Sequence, residues 1–150
     1  MCGPRETLVG AELLGGDKWM GGVLAADGNI YGIPYEATQV LRFDPRTQQA
    51  TLVGNQLSGN AKWIDGVLAA DGNIYGIPWN ATQVLRFDPR TQQATLVGDQ
   101  LPGDYKWQGG VLAADGNIYG IPCDATQVLR LLTDKPPTAT QLRTPTTTWP

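Results

Sequence analysis

Carboxylates and aromatic rings meet in this chain at positions that recur at a fixed spacing. Tyr35-Glu36, Trp79-Asn80 and Cys123-Asp124 stand 44 residues apart from one another, and Asp104-Tyr105 brings an acid and a ring together once more. A ring face beside a carboxylate or an amide can hold a sugar or a cationic group, since the face attracts positive charge and the polar group accepts hydrogen bonds. Tyr35, Glu36, Trp79, Asn80, Asp104, Tyr105 and Asp124 are therefore the candidate ligand-binding residues. The chain has no histidine, which removes Ser/His and Cys/His catalysis, imidazole metal sites and a histidine pH switch. No catalytic residue, metal ligand or cofactor is assigned.

Other residues with chemical potential have plainer readings. Asp27, Asp71 and Asp115 each stand in Asp-Gly-Asn, without the further acids of a calcium cage, and read as turn formers. Trp19, Trp63 and Trp107 read as packing between glycine-rich neighbours rather than stacking platforms. Arg42 and Asp44, two apart on a strand, read as a structural ion pair, as do Arg86 and Asp88. Asn80-Ala81-Thr82 has the pattern of a glycosylation acceptor but no secretory leader to accompany it. Cys2 and Cys123 read as free thiols.

The element that must position all of these is a repeat. Lys18 to Ala61 and Lys62 to Tyr105 differ at eight of 44 positions, and the third copy holds register to Arg130. Glycine 19 and proline 11 make one residue in five and discourage long helices, so the expected fold is all-β. Each copy divides into four short strands: Gly22 to Ala26, Asn29 to Pro34, Gln39 to Asp44 and Gln49 to Val53 in the first. The turns between them are Asp27-Gly28-Asn29, Glu36-Ala37-Thr38 and Pro45-Arg46-Thr47. Tyr31 and Ile33 alternate with Ile30 and Pro34, so both faces of the second strand carry apolar groups and both must be covered.

Four-stranded antiparallel units repeating every 44 residues and covered on both faces predict β-propeller blades. The segment GGVLAADGNIYGIP resembles the Gly-Gly, Tyr and Trp landmarks of kelch-type blades, and QVLRFDPRTQ resembles the VLxxDPxTG segment of cytochrome-d1-like and NHL-type propellers. Asp65 interrupts the glycine pair in the second copy. The resemblance covers residues 6 to 130 and implies a rigid ring whose loops carry any ligand site.

Thr7-Leu8-Val9-Gly10 already reproduces Thr51-Leu52-Val53-Gly54, while the third copy loses register after Arg130. Residues 1–130 thus form a three-blade unit in which strand 6–10 completes a last blade, and residues 131–150 form a Thr/Pro-rich flexible tail. Because propellers have about 4 to 8 blades, three readings stay open: a homodimer closing a six-bladed ring, a fragment whose other blades are missing, or an open three-blade arc.

Six of the eight differences between the first two copies fall in the loops after the second and fourth strands, which share one face of a blade, and Met20, Ile64 and Gln108 adjoin the latter. This pattern predicts a non-catalytic binding or scaffold module holding a protein segment or a small polar ligand on that face. The alternatives are a propeller-based hydrolase or lyase with its site on the central axis, or a truncated product without an independent role. Net charge is -3 with no basic run, which argues against nucleic acid. No apolar run of membrane-spanning length occurs, and the first residues carry no apolar leader, so a cytoplasmic protein is expected.

Overall fold

A computed structural model describes residues 3–133, and within them every regular element is a strand. Three antiparallel sheets follow one another along the chain. The first runs β1 (Trp19–Leu24), β2 (Ile30–Pro34), β3 (Val40–Asp44), β4 (Gln49–Val53), and the second repeats it as β5 (Trp63–Leu68), β6 (Ile74–Pro78), β7 (Val84–Asp88), β8 (Gln93–Val97). In the third, β9 (Trp107–Leu112), β10 (Ile118–Pro122) and β11 (Leu129–Leu131) stand without a fourth strand among the described residues. These are β-propeller blades. Of the tail expected at residues 131–150, Leu131 instead ends β11, and residues 134–150 lie outside the described residues, as does the thiol of Cys2.

The turn residues set the hairpins. Gly28 adopts φ 85°, which a side chain resists, and lets Gly28 N–H reach Ala25 O while Asn29 O accepts from Ala25 N. Asp27 stabilises the turn by accepting from Asn29 N–H at 2.9 Å. At the third turn Asp44 accepts from Arg46 N–H, and the Arg46 side chain closes an ion pair on the same carboxylate at 3.2 Å. Asp88 and Arg90 repeat it at 3.1 Å. The expected pairing of Arg42 with Asp44 is therefore corrected: the carboxylate serves its own turn, and Arg42 reaches across to Gln92 Oε1 in the next blade.

The first strand also begins earlier than expected. Trp19 pairs with Pro34, and an extra residue then bulges out before Gly22 pairs with Gly32. The bulge brings Trp19 over β2, where a Cβ on Gly32 would stand 3.3 Å from the ring's Cγ. Each repeat tryptophan then donates its indole N–H at 2.9 Å to the carbonyl of Gln39, Gln83 or Gln127 within its own blade.

The hydrophobic cores lie between blades. Tyr31, Ile33 and Val40 of the first blade bury themselves against Trp63, Ile74, Leu85 and Phe87 of the second. Tyr75, Ile77 and Val84 do the same against Trp107 and Ile118 of the third. β1 lies against β5 and β5 against β9, so the first strands share the inner side of the arc. The spacing is tight enough to require glycine: a Cβ on Gly66 would fall 2.6 Å from Ile33 Cδ1.

Candidate functional site

Loops after the second and fourth strands converge on one face, as the repeat predicts. In each blade they enclose a depression between the turn preceding the first strand and the turn following the second. The depression of the first blade holds about 380 Å³, that of the second about 240 Å³ and that of the third about 400 Å³. Equivalent residues line all three: a lysine and tryptophan (Lys18-Trp19, Lys62-Trp63, Lys106-Trp107), and a threonine and glutamine (Thr38-Gln39, Thr82-Gln83, Thr126-Gln127).

The lysines carry a signal that residue type alone concealed. Lys62 and Lys106 are almost wholly buried. The Lys62 ammonium donates to Tyr35 O at 2.9 Å and Gly59 O at 3.0 Å, and that of Lys106 to Gly103 O at 2.7 Å. Burial pushes both pKa values below the ordinary lysine range, opposed by Glu36 beside Lys62 and by Asp104 beside Lys106. These ammonium groups pin the loops. The recurrence of a lysine before each repeat tryptophan was the available clue.

The seven candidate residues divide by role. Glu36 reaches the following blade, where Oε1 accepts from Ala61 N–H at 2.9 Å, and Asn80 Oδ1 accepts from Tyr105 N–H at the same distance. Both side chains thus join blades. Tyr35 and Trp79 are half-buried, and their carbonyls accept from Lys62 N–H and Lys106 N–H. Trp79 and Tyr105 meet at 5.3 Å between ring centroids, tilted by 55°, so residues 26 apart in sequence form one aromatic pair across the boundary of blades two and three. Tyr105 is half exposed, and Ala61 occupies its place one repeat earlier.

Asp104 and Asp124 complete the assembly. Both are exposed and both line the 400 Å³ cavity of the third blade. Asp124 N–H donates to Tyr105 O at 2.8 Å, so the aromatic pair adjoins the cavity without lining it. Of the seven candidates, Asp104 and Asp124 line this cavity and Trp79 and Tyr105 stand beside it, while Asn80, which accepts from Tyr105 N–H, lines the second blade's cavity, and Tyr35 and Glu36 belong to the boundary one blade earlier. Glu36 lines the first blade's cavity.

The residue that interrupts the glycine pair has its own task. Asp65 sits on the inner strand of the middle blade, accepting from Gly66 N–H at 2.8 Å and from Gly110 N–H of the third blade at 3.1 Å. Among the Asp-Gly-Asn aspartates, Asp27 and Asp71 each accept from a tyrosine hydroxyl at 2.6 Å, and Asp115 accepts from Tyr119 in the same way. Their oxygens are engaged in holding turn to strand. Cys123 carries a free, exposed thiol. No helix of the described residues is long and apolar enough to cross a membrane.

No protein-family model and no curated protein matches the chain. Solved structures do resemble it. A catalytically inactive histidine-to-alanine variant of virginiamycin B lyase from Staphylococcus aureus, crystallised with quinupristin, superposes with a TM-score of 0.60 at 15% identity, over 77% of this chain and 38% of that one. A streptogramin B lyase gives 0.61 at 14% identity over 85% and 44%. An auxiliary nutrient binding protein from Bacteroides ovatus gives 0.59 at 12% identity over 75% and 28%. The chain spans less than half the length of each. At these identities the likeness shows the fold, a β-propeller architecture.

Proposed function

We propose that this three-blade unit is a non-catalytic binding module whose site is the boundary between the second and third blades, and that its ligand is small and polar or a protein segment presenting a cationic group. The observation that carries this reading is the convergence of Asp104 and Asp124 on one cavity, with the Trp79 and Tyr105 pair adjoining it through the backbone of Tyr105. Two carboxylates supply attraction to positive charge and acceptors for hydroxyl or ammonium protons. Beside them the rings offer apolar faces that favour a cation or a sugar ring. The site rests on strands fixed by buried lysines and tightly packed glycines, so little ordering is needed on binding.

The propeller fold does not choose among activities, since the similar structures include lyases and a nutrient-binding protein. The absence of histidine supports a non-catalytic role, because it removes the side chain that most often transfers protons near neutral pH.

The test is calorimetric titration of the chain with lysine-rich peptides, alkylammonium ions and methyl glycosides, with product analysis on the same samples. Saturable binding that weakens at least tenfold in the Asp104→Asn, Asp124→Asn double variant is expected. Chemical conversion of a bound ligand would overturn the non-catalytic reading, and binding unaffected by the double variant would overturn the site.

A further inference from the structure

The two ends of the arc are shaped for each other. Ile33 and Ile77 are fully buried because each presses on a glycine of the next blade, Gly66 and Gly110, so closely that a Cβ on either glycine would lie 2.6 or 2.7 Å from the isoleucine. Ile121 is the same residue one repeat on, and it is 43% exposed. Gly22 is the corresponding glycine of the first blade, and a Cβ there meets nothing closer than 3.6 Å. One end therefore carries a free knob and the other a free hole of the kind that joins the blades within the chain. The same holds around them. Val111 is 55% exposed where Val23 and Val67 are buried, and Ile30 is 39% exposed where Ile74 and Ile118 are buried.

The outer strand shows the same complementarity. Gly54, at φ 81°, places a Cβ position 3.2 Å from Gln92 O of the following blade, and Gly10, at φ 80°, stands 3.3 Å from Gln48 O. Residues 7–10 thus lie beside the first blade as a fourth strand of a preceding blade would lie, yet they join no sheet and Leu8 is completely exposed. Among the described residues β11 meanwhile has a free edge. Within the first blade Leu41 pairs with Leu52 and Val40 with Val53. Transposed by the repeat, that register sets Leu129 against Leu8 and Val128 against Val9.

We propose that a second copy of this chain covers both ends, giving a two-fold, six-bladed ring in which residues 7–10 of each copy complete the third blade of the other. Two copies bring the blade number within the range of about 4 to 8 that closed propellers adopt, whereas a third copy would exceed it. Closure buries the free edge of β11, an exposed template for unwanted strand pairing. It also finishes the candidate site. Leu52 and Leu96 wall the cavities of the first two blades, and the third cavity has no such residue until Leu8 of the partner subunit arrives. The assembly stands on packing alone and does not depend on the ligand assigned above.

Light scattering after size exclusion tests it on the intact chain and on Gly22→Leu, which has room in a single chain but would strike Ile121 of the partner subunit. The intact chain is expected at about 32 kDa, twice its 16.1 kDa, and Gly22→Leu at the mass of one chain with an unchanged far-ultraviolet spectrum. Leu8→Asp, on an exposed side chain, should dissociate the dimer in the same way. A monomeric intact chain, an open series of larger species, or variants that remain dimeric would each overturn the proposal.

Discussion

Ile77 and Gly110 meet across the boundary of the second and third blades with no space for another atom: a Cβ on Gly110 would lie 2.7 Å from Ile77 Cδ1. Ile33 and Gly66 repeat the contact at 2.6 Å. Neighbouring inner strands approach closely because one side is bare backbone, and the isoleucine fills the resulting hollow. Close-packed interiors resist even one added methyl group.

Gly66→Ala and Gly110→Ala should each destabilise the protein by about 1 to 3 kcal/mol, the usual cost of overpacking. Pairing Gly66→Ala with Ile33→Val removes one of the two Ile33 carbons that lie 2.6 Å from the added Cβ, Cδ1, and should recover part of the loss. Urea denaturation of the single and double variants measures both. Additive losses would show that the two side chains do not share one space.

Trp63 is buried, and its indole N–H satisfies Gln83 O. Trp63→Ala should cost about 3 to 5 kcal/mol through the cavity left behind and the orphaned carbonyl. Trp63→Phe should fall between. An alanine variant with the parent's thermal midpoint would mean that the ring contributes no packing.

Tyr75 gives a pH dependence with a definite sign. Burial, reinforced by the Asp71 carboxylate that accepts the hydroxyl's hydrogen bond, pushes its pKa from 10.0 to about 12. Between those values the unfolded chain has released a proton that the folded chain keeps, so stability present below pH 10 is lost as pH rises through this window. Lys62 acts in the opposite sense, since burial lowers its pKa and the cost of burying its charge disappears as pH rises. Denaturant midpoints on either side of pH 10 should therefore fall less steeply in Tyr75→Phe than in the parent. Equal slopes would show that the hydroxyl does not report the folded state.

Much of this architecture was legible because the repeat is nearly identical from copy to copy. The Asp-Gly-Asn, Glu-Ala-Thr and Asp-Pro-Arg-Thr turns place the second, third and fourth strands of the first blade to within a residue, and Tyr31 and Ile33 mark a sheet covered on both faces. The start of the first strand was not legible, since the bulge before Gly22 breaks the alternation that marks a strand. Arg42 and Asp44 misled through spacing: two residues on one strand face can pair, but Arg46 reaches Asp44 from within the same turn at lower entropic cost. The burial of Lys62 and Lys106 is not legible in the repeat, because a lysine is ordinarily a surface residue and its burial depends on carbonyls that only the folded loops present. The meeting of Trp79 with Tyr105 required knowing that the second loop of one blade lies beside the last loop of the same repeat as it enters the next.

Whether the ligand lies on the variable loop face at the second and third blades is decided by measuring affinity and thermal midpoint together in two paired variants. Trp79→Ala with Tyr105→Ala should weaken binding of the cationic peptide or glycoside that the titrations identify by tenfold or more, on the order of 1.4 kcal/mol, while lowering the midpoint only slightly. Arg46→Ala with Arg90→Ala changes exposed turn residues of the opposite face and should leave affinity unaltered. Binding abolished by the arginine changes and retained without the aromatic pair would place the ligand on the opposite face.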